Sequence, residues 1–418
     1  MAPLKLTRLD YVAALGMFTY ASSVVITPIV LLRIAEDLVF GLAEGGGIEA
    51  VRAGFLLAIL IASGFAAAHF GKTRSLAAGG MILAAGLFGY ALAPNYWVVL
   101  AAVVLVGLGG GILEALLNPL VQDEHPEDSG RYLNLVNAFF SVGVVTAVLI
   151  VGDLLTRGVS WRVLVAGLGV VALSSGVLFF IFGHAPAKSG APGVPDYSTG
   201  AEGASADADP SGRASGSADS EATDIPVWSH AREIVADRTF WFLAVAMFAG
   251  GGAEAAFTFW SASYVQLGFG VLARGGAFAT ASFAGGMVVG RLTSGHFVRQ
   301  DQLHILIIGS ALFGVVAGLA AWAVTGFVAF MVVVFAAGLS IACFWPSIQS
   351  YAAAEMPGVD STMLFILLSV GGIPGFGFAS WIMGVIAESH GLRTSLLVIP
   401  ALLILLAAMM VISRRSRV

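Results

Sequence analysis

Charge is what this sequence has least of. Only 11% of its 418 residues are Asp, Glu, Lys or Arg, against about 25% in soluble domains. So few charges cannot cover a water-facing surface on a chain that is 58% hydrophobic, and lipid has to be its main solvent. Cysteine is nearly absent as well. Cys343 stands alone in an apolar run, which excludes a disulfide framework and a thiolate metal site. No His-Glu-x-x-His signature occurs, no glycine run ends in Gly-Lys-Ser/Thr, and no hydrolase or kinase constellation is present. The chain therefore reads as a non-enzyme with no metal site. The formal net charge of −5 falls largely in one polar stretch and offers no basic face for nucleic acid. The first apolar run is too long, and lacks the small-residue cleavage site, for a cleaved signal peptide.

Long apolar runs are what the sequence has in abundance. A membrane helix needs roughly 20 apolar residues to cross a hydrocarbon core of about 30 Å. Twelve runs qualify, near 11–33, 51–70, 75–93, 95–121, 131–152, 162–183, 239–267, 273–297, 303–324, 325–353, 361–386 and 393–413. Residues 184–236 are different in kind, rich in Gly, Ala, Ser, Pro and Asp with almost no large apolar side chain before Ile225. Such a composition cannot offset chain entropy by burial and predicts disorder, with a short interfacial helix near Trp228 to Asp237. The stretch divides the chain into an N-terminal six-helix bundle (1–183), a polar linker (184–238) and a C-terminal six-helix bundle (239–418). Lys5, Arg8, Lys72, Arg74, Arg131, Arg232, Arg238, Arg299, Arg414, Arg415 and Arg417 fall on one side of twelve spans. Arg33, Arg52, Arg157, Arg162, Arg274 and Arg393 fall on the other. The excess of basic residues places both termini and the linker in the cytoplasm of a multi-pass protein of the inner (plasma) membrane.

The two bundles carry traces of one repeat. Gly107-Leu108 recurs as Gly338-Leu339, Glu124 as Glu355 and Pro126 as Pro357, all at an offset of 231 residues that also pairs Glu114 with Trp345 and Asn118 with Gln349. A similar offset relates His69-Phe70 to His296-Phe297. Six helices repeated as six, in parallel, is the layout of the major facilitator transporters.

Acids inside a span cost about 2.5–3.5 kcal/mol on insertion scales and usually face a cavity or a partner. Two sit clearly inside: Glu114 in the fourth span and Glu254 in the seventh. Each follows a glycine run, and each is a candidate for proton coupling, since carboxyl groups held out of water exchange protons nearer neutrality. The alternative for both is a protonated acid hydrogen-bonded between helices. Asn118 lies one turn beyond Glu114 on the same face. A carboxyl beside an amide suits a polyhydroxyl solute, because every hydroxyl both donates and accepts. Asn137 in the fifth span is a further ligand candidate, flanked by Phe139 and Phe140 as an aromatic wall. Trp260 and Tyr264, one turn apart after Glu254, read equally well as binding residues or as packing. Trp345 and Gln349 in the tenth span could stack on and hydrogen-bond a sugar, with bundle packing the bland reading for Trp345. Gly107-x-x-x-Gly111 and Gly286-x-x-x-Gly290 read as small-residue patterns for close helix approach. Gly371-Gly372-Ile373-Pro374-Gly375 is either a flex point or a packed kink.

Around the fourth and fifth spans the pattern becomes specific. Gly107-Leu108-Gly109, Glu114, Asn118-Pro119, Pro126, Ser129-Gly130, Leu133-Asn134-Leu135, Phe139 and Ser141-x-Gly143 together resemble the fucose–galactose–glucose:proton symporter family of the major facilitator group. Gly252, Glu254, Trp260 and Tyr264 are similar to it too. The resemblance implies a sugar-recognising, proton-handling role for Glu114. It also shows a departure: that family carries an acid midway along the first span, whereas here none lies between Asp10 and Glu36. Coupling through such an acid is excluded, leaving Glu114, Glu254 or no coupling. Gly71-Lys72-x-Arg74 keeps part of the common cytoplasmic loop motif, with Ala68 where many members have an acid, so the interdomain charge lock is expected to be altered.

The sequence thus predicts an all-α membrane protein of twelve helices in two pseudo-symmetric bundles. Its expected work is alternating-access transport of a sugar or similar small polar solute, driven by a proton gradient, with sodium as the alternative ion, by a monomer in a lipid bilayer. Two other readings stand beside it: an exporter of amphipathic or lipid-like compounds, suited to the many aromatics, and a non-transporting sensor or scaffold acting through the linker.

Overall fold

A computed structural model describes residues 6–125, 129–183, 227–297, 300–357, 359 and 361–415. The N-terminal half holds six long helices: α1 (Arg8–Leu38), α2 (Leu42–Phe70), α3 (Lys72–Leu92), α4 (Tyr96–Glu124), α5 (Ser129–Thr156) and α6 (Trp161–Phe182). A short helix α7 (Val227–Ala236) precedes the second half and falls where the sequence predicts an interfacial helix. The rest of the expected disordered linker, 184–226, lies outside the described residues. Then come α8 (Arg238–Phe269), α9 (Ala273–Phe297), α10 (Leu303–Ala323), α11 (Phe327–Ile341), α12 (Phe344–Glu355), α13 (Ser361–His390), α14 (Leu392–Ser395) and α15 (Val398–Arg415).

Local chemistry sets many of the boundaries. Thr7 and Asp10 form a reciprocal capping box at the start of α1. Asn95 accepts from the Val98 amide at 3.1 Å to open α4, and Asp237 accepts from the Thr239 amide at 2.7 Å to open α8. Gly270, at φ +67, ends α8 in the left-handed region that glycine enters without a Cβ penalty. The tenth span is one run in sequence but two helices in the fold. Pro346 lies in the first turn of α12, where it has no N–H to offer the Ala342 carbonyl and its ring crowds that group, so α11 stops at Ile341. Pro28, Pro119 and Pro374 stay inside continuous helices.

With α11–α12 and α14–α15 each counted as one span, the chain makes six plus six. Ten segments among the described residues are long and apolar enough to cross a membrane on length and composition; α2 and α9, of 29 and 25 residues, complete the two sixes. Large apolar side chains point outward on the peripheral helices, among them Val163, Val170 and Phe180 on α6 and Ile305, Leu312 and Val316 on α10. A continuous apolar exterior of this kind fits lipid rather than water.

Each half has its own buried apolar core. The exceptions mark where the halves meet. Leu31 of α1 packs into the second core, while Ala262 of α8 and Ala273 and Ala277 of the α9 region pack into the first. The repeat seen in sequence holds in space. A Cβ on Gly107 of α4 would sit 2.7 Å from the Arg52 carbonyl oxygen of α2, and one on Gly338 of α11 would sit 2.2 Å from the Phe283 carbonyl oxygen of α9. The second and fourth spans of each half therefore touch through the same glycine, the close approach expected of small residues.

The second helix corrects the sequence reading. Its span was expected to begin at residue 51, with Arg52 at a helix end. Instead α2 begins at Leu42, and Glu49 and Arg52 lie buried about two and three turns inside it. Glu114 and Glu254 are therefore not the only acids within a span. Gly45, Gly46 and Gly47, which precede the expected span, are helical, and Gly46 serves as contact surface for α13.

Candidate functional site

The ends of the bundle differ. Glycines and small residues join the halves at the end opposite the chain termini. A Cβ on Gly46 of α2 would lie 2.2 Å from the Ser380 carbonyl oxygen of α13, and one on Gly384 would lie 2.3 Å from the Leu42 carbonyl oxygen. Gly152 of α5 meets Ala277 of α9 in the same way. Polar links reinforce the seam. Glu388 of α13 accepts from the Ala43 amide at 2.9 Å, at the N-terminus of α2, where a carboxylate is favoured. Arg274 pairs with Asp153, and its amide donates to Thr156 Oγ1 at 2.9 Å. At the end that carries the termini, Lys72 pairs with Asp123 at 2.5 Å and reaches the Pro119 carbonyl at 3.4 Å, so this ion pair stays inside the N-terminal half. Arg299 lies outside the described residues.

Within the N-terminal half, four helices bring polar groups together. Glu114 of α4 is exposed although it sits in mid-helix. The Tyr20 hydroxyl of α1 faces its carboxyl, and the Tyr20 ring lies against Gly110, one turn back on α4. A Cβ at residue 110 would make an ordinary contact of 3.5 Å with that ring. Asn118, one turn on from Glu114, accepts from the Asn137 amide of α5 at 2.9 Å. Phe140, one turn on from Asn137, stacks at a tilt on Tyr20 with centroids 5.8 Å apart. Behind this surface, Arg52 donates from Nε to Glu49 at 2.8 Å and from its terminal nitrogen at 2.5 Å. Thus Glu114, Asn118, Asn137 and Phe140 come together, and Tyr20, Glu49 and Arg52 join them. Glu49 and Arg52 carried a sequence signal, an acid and a base three residues apart in an apolar run, which a span starting at 51 hides.

The C-terminal candidates are more scattered. Glu254 of α8 stands 3.9 Å from the Arg291 guanidinium of α9. Gln349 of α12 donates to Ser369 Oγ at 3.1 Å. Trp345 is half-buried against Phe376, and its ring lies on Gly372. Of the two readings open for Trp260 and Tyr264, binding or packing, the contacts in this structure are packing contacts. Trp260 is fully buried, and its Nε1 donates to the Ser380 carbonyl at 3.1 Å at the closed end. Tyr264 packs on Phe330 with centroids 4.7 Å apart. Both rings hold helices together, because the positions one turn apart on α8 face α13 and α11 rather than open space. Gly371 to Gly375 likewise form a packed face: a Cβ on Gly375 would lie 2.0 Å from the Phe248 carbonyl oxygen. Among the described residues no group of acids, histidines and cysteine could hold a metal ion.

The two bundles are thus closed against each other at the end opposite the termini, and the first carries a polar surface between its helices. Residues 12–305 match the family model of the Major Facilitator Superfamily. The chain belongs to that superfamily. No curated protein matches the sequence. Solved structures match along nearly the whole length. A bacterial homolog of the human lysosomal transporter Spinster, inward-facing and unoccupied, has a TM-score of 0.75 at 15% identity, covering 99% of this chain and 98% of that one. Its inward-facing, occupied form gives 0.73 at 15% identity, covering 98% and 96%. The nucleoside transporter NupG gives 0.75 at 11% identity, covering 98% of each chain. At these identities the likeness shows the fold alone: this is a multi-pass membrane protein with the major facilitator architecture, and a transporter by family.

Proposed function

We propose that the protein carries a small neutral polyhydroxyl solute, such as a sugar, by alternating access coupled to protons, with Glu114 as the coupling carboxyl. The observation that carries this reading is the surface made by Glu114, Asn118, Asn137, Tyr20 and Phe140. It offers a carboxyl, a pair of amides and a hydroxyl within about a turn of one another, beside an aromatic wall. Hydroxyl groups satisfy such a surface by donating to the carboxyl and accepting from the amides, while the aromatic face covers the C–H side of a ring. The resemblance to the sugar:proton symporters at Gly107, Glu114 and Asn118 supports the same choice. The seam between the bundles lies at the end opposite the termini and linker, and the distribution of Lys and Arg assigns the termini to the cytoplasm, which supports solute exchange with the cytoplasm in this state.

The test is uptake into proteoliposomes of labelled hexoses, pentoses, polyols and nucleosides, with and without a proton gradient. Saturable uptake of at least one solute, stimulated by the gradient, is expected. Glu114→Gln should abolish gradient-driven accumulation. If none of these solutes enters while an amphipathic dye is moved, the polyhydroxyl assignment fails and the exporter reading replaces it.

A further inference from the structure

A cavity lies away from the polar surface of the first half, on the flank of the second. α9 and α10 both pack on α11, and the furrow left between them encloses about 470 Å³. Its floor is Leu339, Ser340 and Cys343, where α11 breaks off before α12. Ile305 and Phe313 of α10 line it and are 68% and 48% exposed. The furrow therefore opens sideways, onto the apolar exterior that faces lipid.

The chemistry of the lining selects an occupant. Among the described residues no charged side chain lines the furrow. Three of its hydroxyls are taken up by backbone: Thr293 donates to the Val289 carbonyl at 2.9 Å, Ser294 to that of Arg291 at 3.3 Å and Ser340 to that of Ser310 at 2.7 Å. The fourth, on Ser310, faces the Cys343 thiol. Arg291 is engaged elsewhere, 3.9 Å from Glu254 and 3.5 Å from the Ala342 carbonyl. Polar groups already satisfied in this way offer little to a polar solute, and what remains is an apolar trough.

Position narrows the choice further. Thr293 and Ser294 stand near the end of α9 and Ile305 near the start of α10, at the end of the bundle that bears the termini. Phe313 is eight residues beyond Ile305, about 12 Å along the helix. The furrow thus runs most of the depth of one leaflet, about 15 Å of hydrocarbon, and stops there. Gly309 stands midway along it. On the same helix, a Cβ on Gly314 or Gly318 would crowd Ser340 or Pro400, whereas a Cβ on Gly309 meets nothing within 4 Å. Close packing does not explain this glycine. Any larger side chain would fill the space that it leaves.

We propose that the furrow is a site for one acyl chain of a bilayer phospholipid, in the leaflet on the side of the termini. The chain enters at Thr293 and Ile305 and ends at Phe313. It backs the break between α11 and α12, beside the Ala342 carbonyl that Arg291 reaches. A bound chain in this place is distinct from the solute surface of the first half and does not depend on which solute is carried.

The test is photolabelling of the full-length protein with phosphatidylcholine bearing a diazirine in one chain. The protein is reconstituted with the probe, extracted into detergent, irradiated and mapped by peptide mass. Labelling of the furrow should exceed that of the outward face of α6, at Val163, Val170 and Phe180, by about tenfold, a preference of about 1.4 kcal/mol. A diazirine near the ester should mark Thr293 and Ile305, and one near the chain end Phe313 and Leu339. Gly309→Phe should remove the furrow label and leave that of α6 unchanged. Gly309→Leu, a smaller filling, serves if the larger one does not fold, and the depth series needs no variant. Equal yields on the furrow and on α6, labels that ignore depth, or a furrow label that survives filling would reduce this to ordinary lipid contact and overturn the proposal. Labelling by an amphipathic solute probe but not by phosphatidylcholine would overturn it too.

Discussion

Gly46→Leu should open the closed end. A Cβ at residue 46 would stand 2.2 Å from the Ser380 carbonyl oxygen and 2.9 Å from the Trp381 Cα, both backbone atoms of α13. Neither can rotate away, so α2 and α13 must part by about 1 Å to restore an ordinary contact of about 3.5 Å. Overpacking of this kind costs about 1–3 kcal/mol. A cost of about 2 kcal/mol falls only on the conformer in which the seam is closed, and shifts its equilibrium with the conformer open at that end by roughly thirtyfold. The control is on the same helix: a Cβ on Gly54 meets nothing within 4 Å. Gly54→Leu gains the same helix propensity, about 0.8 kcal/mol, without the clash. Spin labels at Val39 and Leu272, 88% and 65% exposed on opposite halves of that end, report the separation by pulsed electron resonance in a background lacking Cys343. A longer distance population should appear in Gly46→Leu and not in Gly54→Leu. Identical distributions in the two variants would refute the argument that backbone contact at this glycine holds the end shut.

Asp153→Asn removes the charge that Arg274 meets across the halves and that Arg157 meets at 2.7 Å. Asp153 and both arginines are open to solvent, so water and salt screen the pair and leave it weak. A two- to fivefold shift toward the open form is expected in the same spin-label assay, and about 1 M salt should produce most of it in the unaltered protein. Trp260→Phe loses the hydrogen bond to Ser380 and part of a fully buried ring. It should lower the melting temperature through a loss of about 1–3 kcal/mol while leaving the half-saturating solute concentration unchanged. A many-fold rise in that concentration at constant melting temperature would restore Trp260 as a binding residue.

Much of this architecture is a consequence of the one-dimensional pattern. The scarcity of charge fixes the solvent, the length of each apolar run fixes a crossing, and the polar stretch after residue 183 fixes the division into six and six. Glu114 stood out because an acid in mid-span is costly enough to need a reason. Gly107 and Gly338 stood out because a repeated glycine signals a repeated close approach, and both were found pressed on a neighbour's backbone. What the sequence alone could not decide is which neighbour each side chain meets. Trp260 and Glu254 lie on one helix, six residues apart, yet only the packing of α13 and α11 turns Trp260 and Tyr264 into helix cement. Glu49 and Arg52 escaped because the second span was expected to begin at residue 51, whereas its helix starts at Leu42. The closure of one end was invisible for the same reason. Periodicity records burial along each helix separately, whereas a seam between Gly46 and Ser380, or an amide of α5 bonded to an amide of α4, exists only once different helices are brought side by side.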